Sequence, residues 1–323
     1  MTKIDIISGF LGAGKTTLIQ KLLKEALNGQ KVVLIENEFG EIGIDGGFLK
    51  EAGVQITEMN SGCICCSLVG DFGTALKDVL NTYTPDRVII EPSGVGKLSD
   101  VIKAVEDVAK EIEVELNSYT AVVDASKCKM YMKNFGEFFN NQVEHANTII
   151  LSRTQNMKED KLEASVALLR EHNKKAKIVT TPWDDISGAK VLETMEASKS
   201  LIDEMMEEHH HHHHEDGHCC GHDHHHHHHH ADDVFTSWGV ETPHKYEKEK
   251  VEEALKKLAN TEEFGIILRA KGMIAGVDGS WIYFDLVPGE YELREGSPEY
   301  TGRLCVIGTK LEEEKLKELF EIS

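Results

Sequence analysis

The chain predicts an α/β fold, a mostly parallel sheet covered by helices, with a small α+β domain following it. Two patterns carry that prediction. From residue 1 to about 186, short β-branched runs alternate with longer helical stretches, as parallel strands joined by helical crossovers do. After about residue 234 the order changes to one helix and then several closely spaced strands, which suits an antiparallel sheet.

In chain order, strands are expected at 4–8, 31–35, 54–59, 87–91, 120–124, 148–151 and 177–180. Helices are expected between them at 16–27, 71–81, 100–111 and 158–171, with one more over 187–206. Residues 207–233 are His, Asp, Glu, Gly and Cys with almost no apolar content, too little to bury a core, and read as a linker disordered without metal. Beyond it, 246–258 reads as a helix, strands follow near 265–270, 280–286, 291–295 and 303–307, and a last helix covers 312–320. The expected domains are therefore 1–206, a linker at 207–233, and 234–323.

Composition narrows the function classes. Against 35 basic residues stand 56 acidic ones, a formal charge of −21. Such a surface repels nucleic acid and anionic lipid, because it has no excess of Lys and Arg to neutralise phosphate. The N-terminus runs straight into a strand-like segment with no basic region or cleavage site, and no stretch reaches the roughly 20 apolar residues of a membrane span. Cytoplasm is the expected location. Seven cysteines in 323 residues are no disulfide framework; their clustering suits a reducing compartment where thiols ligate metal.

Gly9-Phe10-Leu11-Gly12-Ala13-Gly14-Lys15-Thr16 fits G-x-x-x-x-G-K-[ST] between an expected strand and an expected helix. Glycines are needed there because loop and helix N–H groups must approach phosphate closely. Gly9, Gly12, Ala13, Gly14 and Thr17 would line the phosphates, Lys15 would contact the β- and γ-phosphates, and the Thr16 hydroxyl would ligate Mg²⁺. The fold expected is thus a P-loop NTPase with a mostly parallel sheet, followed by a small α+β C-terminal domain. Glu91, at the end of Arg87-Val88-Ile89-Ile90-Glu91, is the expected acidic partner for Mg²⁺ or the attacking water, and Gly94 could offer its N–H to the γ-phosphate.

Gly62-Cys63-Ile64-Cys65-Cys66-Ser67 places three soft ligands within four residues, suited to Zn²⁺ or Cu(I). On spacing alone the cluster is also open to buried thiols or a redox pair. The ordered set GFLGAGKTT, ENEFGEIGID, NSGCICCSL and EPSGVG resembles the CobW-type metallochaperone GTPases, relatives of the nickel-delivery GTPases of hydrogenase and urease maturation. The stretch from Phe264, with ILRAKGMI and later LCVIG, is similar to that family's small C-terminal domain. The resemblance implies GTP as substrate, Cys65 as the internal metal ligand with Cys63 and Cys66 beside it, and Glu36 and Glu41 as carboxylate partners. It makes Asp45 a further candidate for Mg²⁺. It also implies delivery of a transition metal, Zn²⁺ first and Co²⁺ or Ni²⁺ as alternatives, to a client metalloprotein or corrinoid-pathway protein, with a homodimer among the candidate assemblies.

One departure concerns the base. Where family members usually carry Asn-Lys-x-Asp, this chain reads Ser152-Arg153-Thr154-Gln155. Gln155 can accept through its amide oxygen but lacks the charge that strengthens such a bond. Arg153 can still lay its stem across the base.

Residues 209–230 hold 15 of the 18 histidines together with Cys219 and Cys220. A cloning tag would sit at a terminus, whereas this tract is internal and interrupted by acids and a Cys pair. His209, His210, His211, His218, His222, His224, His225 and His226, with Cys219 and Cys220, are the expected ion-collecting ligands. Two rivals to a metal-delivering GTPase are a metal buffer with vestigial hydrolysis and a small-molecule kinase. The kinase lacks any visible acceptor-site motif. His145, His172, His244, Cys128 and Cys305 have no local constellation and are expected to be surface or core residues.

Overall fold

β-Branched runs without polar interruption make strands that can be covered on both faces. The computed structural model describes residues 1–36, 55–58, 69–197 and 236–322, and the chain divides into two units, Met1–Ala197 and Ser198–Ser323. In the first, β1 (Thr2–Gly9) leads to α1 (Lys15–Glu25), β2 (Val32–Glu36), β3 (Gln55–Glu58) and α2 (Val69–Tyr83). Then come β4 (Arg87–Glu91), α3 (Leu98–Ala109), β5 (Val114–Asp124), α4 (Cys128–His145) and β6 (Thr148–Ser152). A 3-10 turn (Thr154–Asn156), α5 (Glu159–His172), β7 (Lys177–Val179) and α6 (Gly188–Glu196) complete the unit.

All seven strands are parallel, in the order β3-β2-β4-β1-β5-β6-β7. Ile4, Ile6, Val33, Ile35, Val88 and Ile90 are fully buried and belong to one cluster with Leu98, Val101 and Val105 of α3 and Phe139 and Val143 of α4. Leu18, Ile19 and Leu22 form the buried stripe of α1, each contributing about 1.5–3 kcal/mol by leaving water.

The strand β5 starts well before the expected 120–124. Its first half, with Glu115, Asn117 and Ser118, is too polar to resemble a buried strand. Two of them, Asn117 and Ser118, serve a buried ion pair. Asp5 and Arg87 form an ion pair with side chains 2% and 3% exposed. Asn117 Nδ2 donates to Asp5 Oδ1 at 2.7 Å and Ser118 Oγ donates to the same oxygen at 2.6 Å. Arg87 Nη2 also meets Glu196 Oε1 at 2.6 Å, and Lys3 reaches that oxygen at 3.2 Å. Burial opposes the Glu196 charge, but the Arg87, Lys3 and Asn117 contacts prevail and hold its carboxyl below the ordinary range.

The helix expected over 187–206 ends at Glu196. Residues 198–235, with the expected boundary at 206 and the linker, lie outside the described residues. The helix α4 is kinked at Phe135 (φ −134°, ψ 29°), next to Gly136.

The second unit contains β8 (Thr236–Thr242), β9 (Lys245–Tyr246), α7 (Lys248–Asn260), β10 (Ile266–Gly276), β11 (Trp281–Val287), β12 (Glu290–Glu295), β13 (Gly302–Thr309) and α8 (Glu313–Leu319). Its sheet runs β12-β11-β10-β13-β8 and is antiparallel along that path. The expected all-antiparallel arrangement fails at one point, since β9 pairs parallel to β10. Val251, Leu255 and Leu258 of α7 and Leu316 of α8 share a core with Ile274, Phe284, Leu304 and Val306 of the sheet.

Candidate functional site

In an open parallel sheet, ligands bind beyond the carboxyl ends of the strands where the strand order reverses. That place is here the end of β1, which lies between β4 and β5. The phosphate-loop candidates all sit at this point. Gly9 closes β1 with φ 152°, and a Cβ there would stand 2.4 Å from the Val122 carbonyl oxygen, so only glycine allows the turn. Gly12 is left-handed as well. Gly14 takes φ 103° as the residue before α1, and a Cβ on it would lie 3.2 Å from the Trp183 ring. Ala13 is buried, while Thr17 is exposed in the first turn.

Lys15 and Thr16 begin α1, whose first-turn N–H groups and dipole favour an anion. Glu91 ends β4 directly alongside. Lys15 Nζ lies 3.8 Å from Glu91 Oε1 with side chains 10% and 13% exposed, and Thr16 Oγ1 donates to the same oxygen at 3.4 Å. A hydroxyl and a carboxylate oxygen this close are hard donors of the kind that suits Mg²⁺. Glu36 and Glu91 are register partners across β2 and β4, so the two carboxylates leave one face of the sheet side by side.

Gly94 follows β4 and packs on the phosphate loop, since a Cβ on it would be 2.9 Å from the Leu11 nitrogen. Arg153 is left-handed, with φ 62°. Its Nη2 donates to the Gly12 carbonyl at 3.1 Å and its Nε lies 2.9 Å from Asp124 Oδ2. The guanidinium is therefore tied to the phosphate loop, whereas the sequence suggested only a stem over the base. Gln155 is exposed in the 3-10 turn that follows.

Two residues here escaped sequence reading. Asp124, 1% exposed at the end of β5, anchors Arg153. Trp183, after β7, donates from Nε1 to the Leu151 carbonyl at 2.9 Å and lies against Gly14. The tryptophan is visible in the sequence as a large ring just past a strand, but its neighbours are not.

Glu41, Asp45, Cys63, Cys65, Cys66 and the residues of the His tract lie outside the described residues. Cys128 and Cys305 are core residues, their thiols pushed up by burial to about 12 and so protonated at neutral pH. His145 Nδ1 lies 3.0 Å from the Asn141 carbonyl, and His172 Nδ1 lies 3.0 Å from Glu144. Among the described residues no helix is long and apolar enough to cross a membrane.

A carboxylate at position 155 tests whether this segment reads a base, as the resemblance implies. A carboxylate accepts from guanine N1–H and N2–H₂ more strongly than an amide by roughly 1 kcal/mol. Gln155→Asp is therefore expected to tighten GDP about fivefold and leave ADP unchanged. Competition against a fluorescent nucleotide measures this, and equal changes for both bases would remove residue 155 from base reading.

Residues 3–180 match the model of the CobW/HypB/UreG nucleotide-binding domain, and residues 235–322 match the cobalamin synthesis protein cobW C-terminal domain. The zinc chaperone YjiA of Escherichia coli is 33% identical over 192 residues, 57% of this chain and 58% of that protein. The zinc chaperone YeiR of the same organism is 32% identical over 154 residues, 48% of this chain and 47% of that protein. The zinc chaperone CobW of Sinorhizobium sp is 40% identical over 128 residues, covering 38% and 36%. The matches thus span between about a third and three fifths of these relatives' lengths. Among solved structures, Zn(II)-bound YjiA GTPase from E. coli is similar with a TM-score of 0.44 and 22% identity, over 99% of this chain and 98% of that one. With its nucleotide-binding domain over more than half of its length, the chain belongs to the CobW/HypB/UreG family.

Proposed function

We propose that the chain is a nucleoside triphosphate hydrolase, with GTP as substrate, that couples turnover to delivery of a transition metal. The observation that carries this reading is the convergence of Lys15, Thr16 and Glu91 at the end of β1, with Glu36 in register beside Glu91. Lys15 and the first N–H groups of α1 bind and orient the phosphates, and charge built up during transfer is met by groups already in place. Thr16 and Glu91 would hold Mg²⁺, which when bound neutralises phosphate charge. Asp45 remains a sequence-based candidate for the same ion.

The transferred ion is cargo. Names of the relatives point to Zn²⁺, and Co²⁺ or Ni²⁺ suit the same soft and borderline ligands. In this proposal Cys63, Cys65 and Cys66 hold it with Glu36 and Glu41, and the His tract gathers it. Because Glu36 neighbours Glu91 across one strand pair, a change in phosphate charge is felt at a cargo ligand one strand away. The recipient is a client metalloprotein or a corrinoid-pathway protein. A buffer with vestigial hydrolysis is the second reading, favoured by the missing base-reading carboxylate.

A hydrolysis panel separates the two. GTP and ATP turnover is measured with Zn²⁺, Co²⁺ and Ni²⁺ on wild type and Cys65→Ala. The expected result is GTP turnover that responds to one metal severalfold, with the response lost in Cys65→Ala. Turnover indifferent to metal in both chains would leave the buffer.

A further inference from the structure

Behind the loop that follows Glu91 stands a buried amide. Gln142, on α4, is 1% exposed. Its Nε2 donates to the Gly94 carbonyl at 3.1 Å and to the Gly96 carbonyl at 2.9 Å. Two N–H donors on one neutral nitrogen are found only in Asn and Gln side chains, so the residue matches the pair of carbonyls it meets. Its neighbour Asn141 accepts from the Ser99 backbone N–H at 3.2 Å and donates to Ser99 Oγ at 3.0 Å. The helix α3 has no side-chain cap from Lys97, and Asn141 supplies that partner from α4.

These bonds set which edge of the loop is outward. A trans peptide turns its C=O and N–H to opposite sides. With the Gly94 and Gly96 carbonyls facing Gln142, the N–H groups of Val95 and Lys97 are turned away from α4, and the Val95 N–H is taken by Ser93 Oγ at 3.5 Å. The Ser93 carbonyl is taken by the Gly96 N–H at 2.8 Å, which turns the Gly94 N–H outward from that bend. Gly94 itself lies on Leu11 of the phosphate loop.

The same helix holds the opposite wall. The Phe10 ring lies 4.6 Å from Tyr131, 5.0 Å from Phe135 and 6.3 Å from Phe139, centroid to centroid. All three partners belong to α4, and the kink at Phe135 falls among them. One helix thus grips the phosphate loop through aromatic contacts and the loop after Glu91 through an amide.

We propose that Gln142 is a positioning residue that sets the 92–97 loop to meet a terminal phosphate, making the site discriminate a nucleoside triphosphate from a diphosphate. The proposal rests on the hydrolase reading above. Gln142 touches no substrate and acts through the backbone of Gly94 and Gly96.

The test uses the full chain and the substitution Gln142→Met, which keeps length and burial and removes both donors. Affinities for fluorescent GDP and for a non-hydrolysable GTP analogue are measured, with kcat and the melting temperature. Expected are GDP affinity within about twofold of wild type, GTP-analogue affinity reduced about tenfold, and kcat reduced about tenfold or more. Gln142→Glu keeps one donor when protonated and is expected to fall between, and it carries the test if Gln142→Met does not fold. Equal loss for both nucleotides, or an unchanged kcat in the folded variant, would overturn the proposal. A wild-type chain that binds neither nucleotide overturns the hydrolase reading itself, a result distinct from either of these.

Discussion

Arg87→Met is expected to destabilise the N-terminal unit by about 3–5 kcal/mol, the cost of breaking a buried pair from one side. Arg87 faces Asp5 and Glu196 at once. Without it Asp5 stays 2% exposed, its carboxylate answered only by Asn117 and Ser118. Burial pulls the Arg87 pKa down, yet the Asp5 and Glu196 carboxylates outweigh it and hold the guanidinium above its ordinary value. In the double variant Asp5→Asn/Arg87→Met no charge is stranded, and most of the loss is expected to return. Urea denaturation of the wild type and the variants measures both. A single variant within about 1 kcal/mol of wild type would mean that water reaches this pair.

The second large effect is catalytic. Lys15→Ala is expected to lower kcat for GTP by about 10²–10³-fold, the range for removing one preorganised group at developing charge. The fold should persist, because the Lys15 ammonium is directed to Glu91 while Leu18, Ile19 and Leu22 still form the buried stripe of α1. Glu91 then keeps Thr16 as a partner, so the melting temperature is expected to change little. Single-turnover hydrolysis with matched melting curves measures the effect. Turnover within a few-fold of wild type would detach the phosphate loop from the reaction, and metal transfer unchanged by the same substitution would uncouple delivery from it.

How much of this was legible in the sequence depended on whether the information was local. The phosphate loop was legible because backbone geometry and anion contact both lie within eight consecutive residues. Glu91 was legible as the last residue of an uninterrupted apolar strand. The first half of β5 was not, because Asn117 and Ser118 imitate a turn until Asp5, more than a hundred positions earlier, gives them a partner. The helix α4 was blurred by Asn134, Phe135 and Gly136, where the 3.6-residue rhythm breaks at the kink. Gln142 carried no signal at all: an amide in a polar stretch becomes meaningful only when the Gly94 and Gly96 carbonyls are seen against it. Arg153 lies against the phosphate loop through Gly12. Its bonds to Gly12 and Asp124 depend on a left-handed backbone that no motif announced.

Glu25, at the far end of α1 from Lys15, accepts from the Gly188 backbone N–H at 2.7 Å and so ties α1 to the start of α6. The other end of α6 is Glu196, which holds Arg87 at the foot of β4, and the head of β4 is Glu91. Lys15 and Glu91 are thus the tips of a pair of callipers whose arms are α1 and β4 and whose pivot is α6, on the side of the sheet remote from any nucleotide. The tips meet at 3.8 Å, and both arms are tied to the pivot. On the proposed function, a phosphate would meet a Lys15–Glu91 spacing set by these elements.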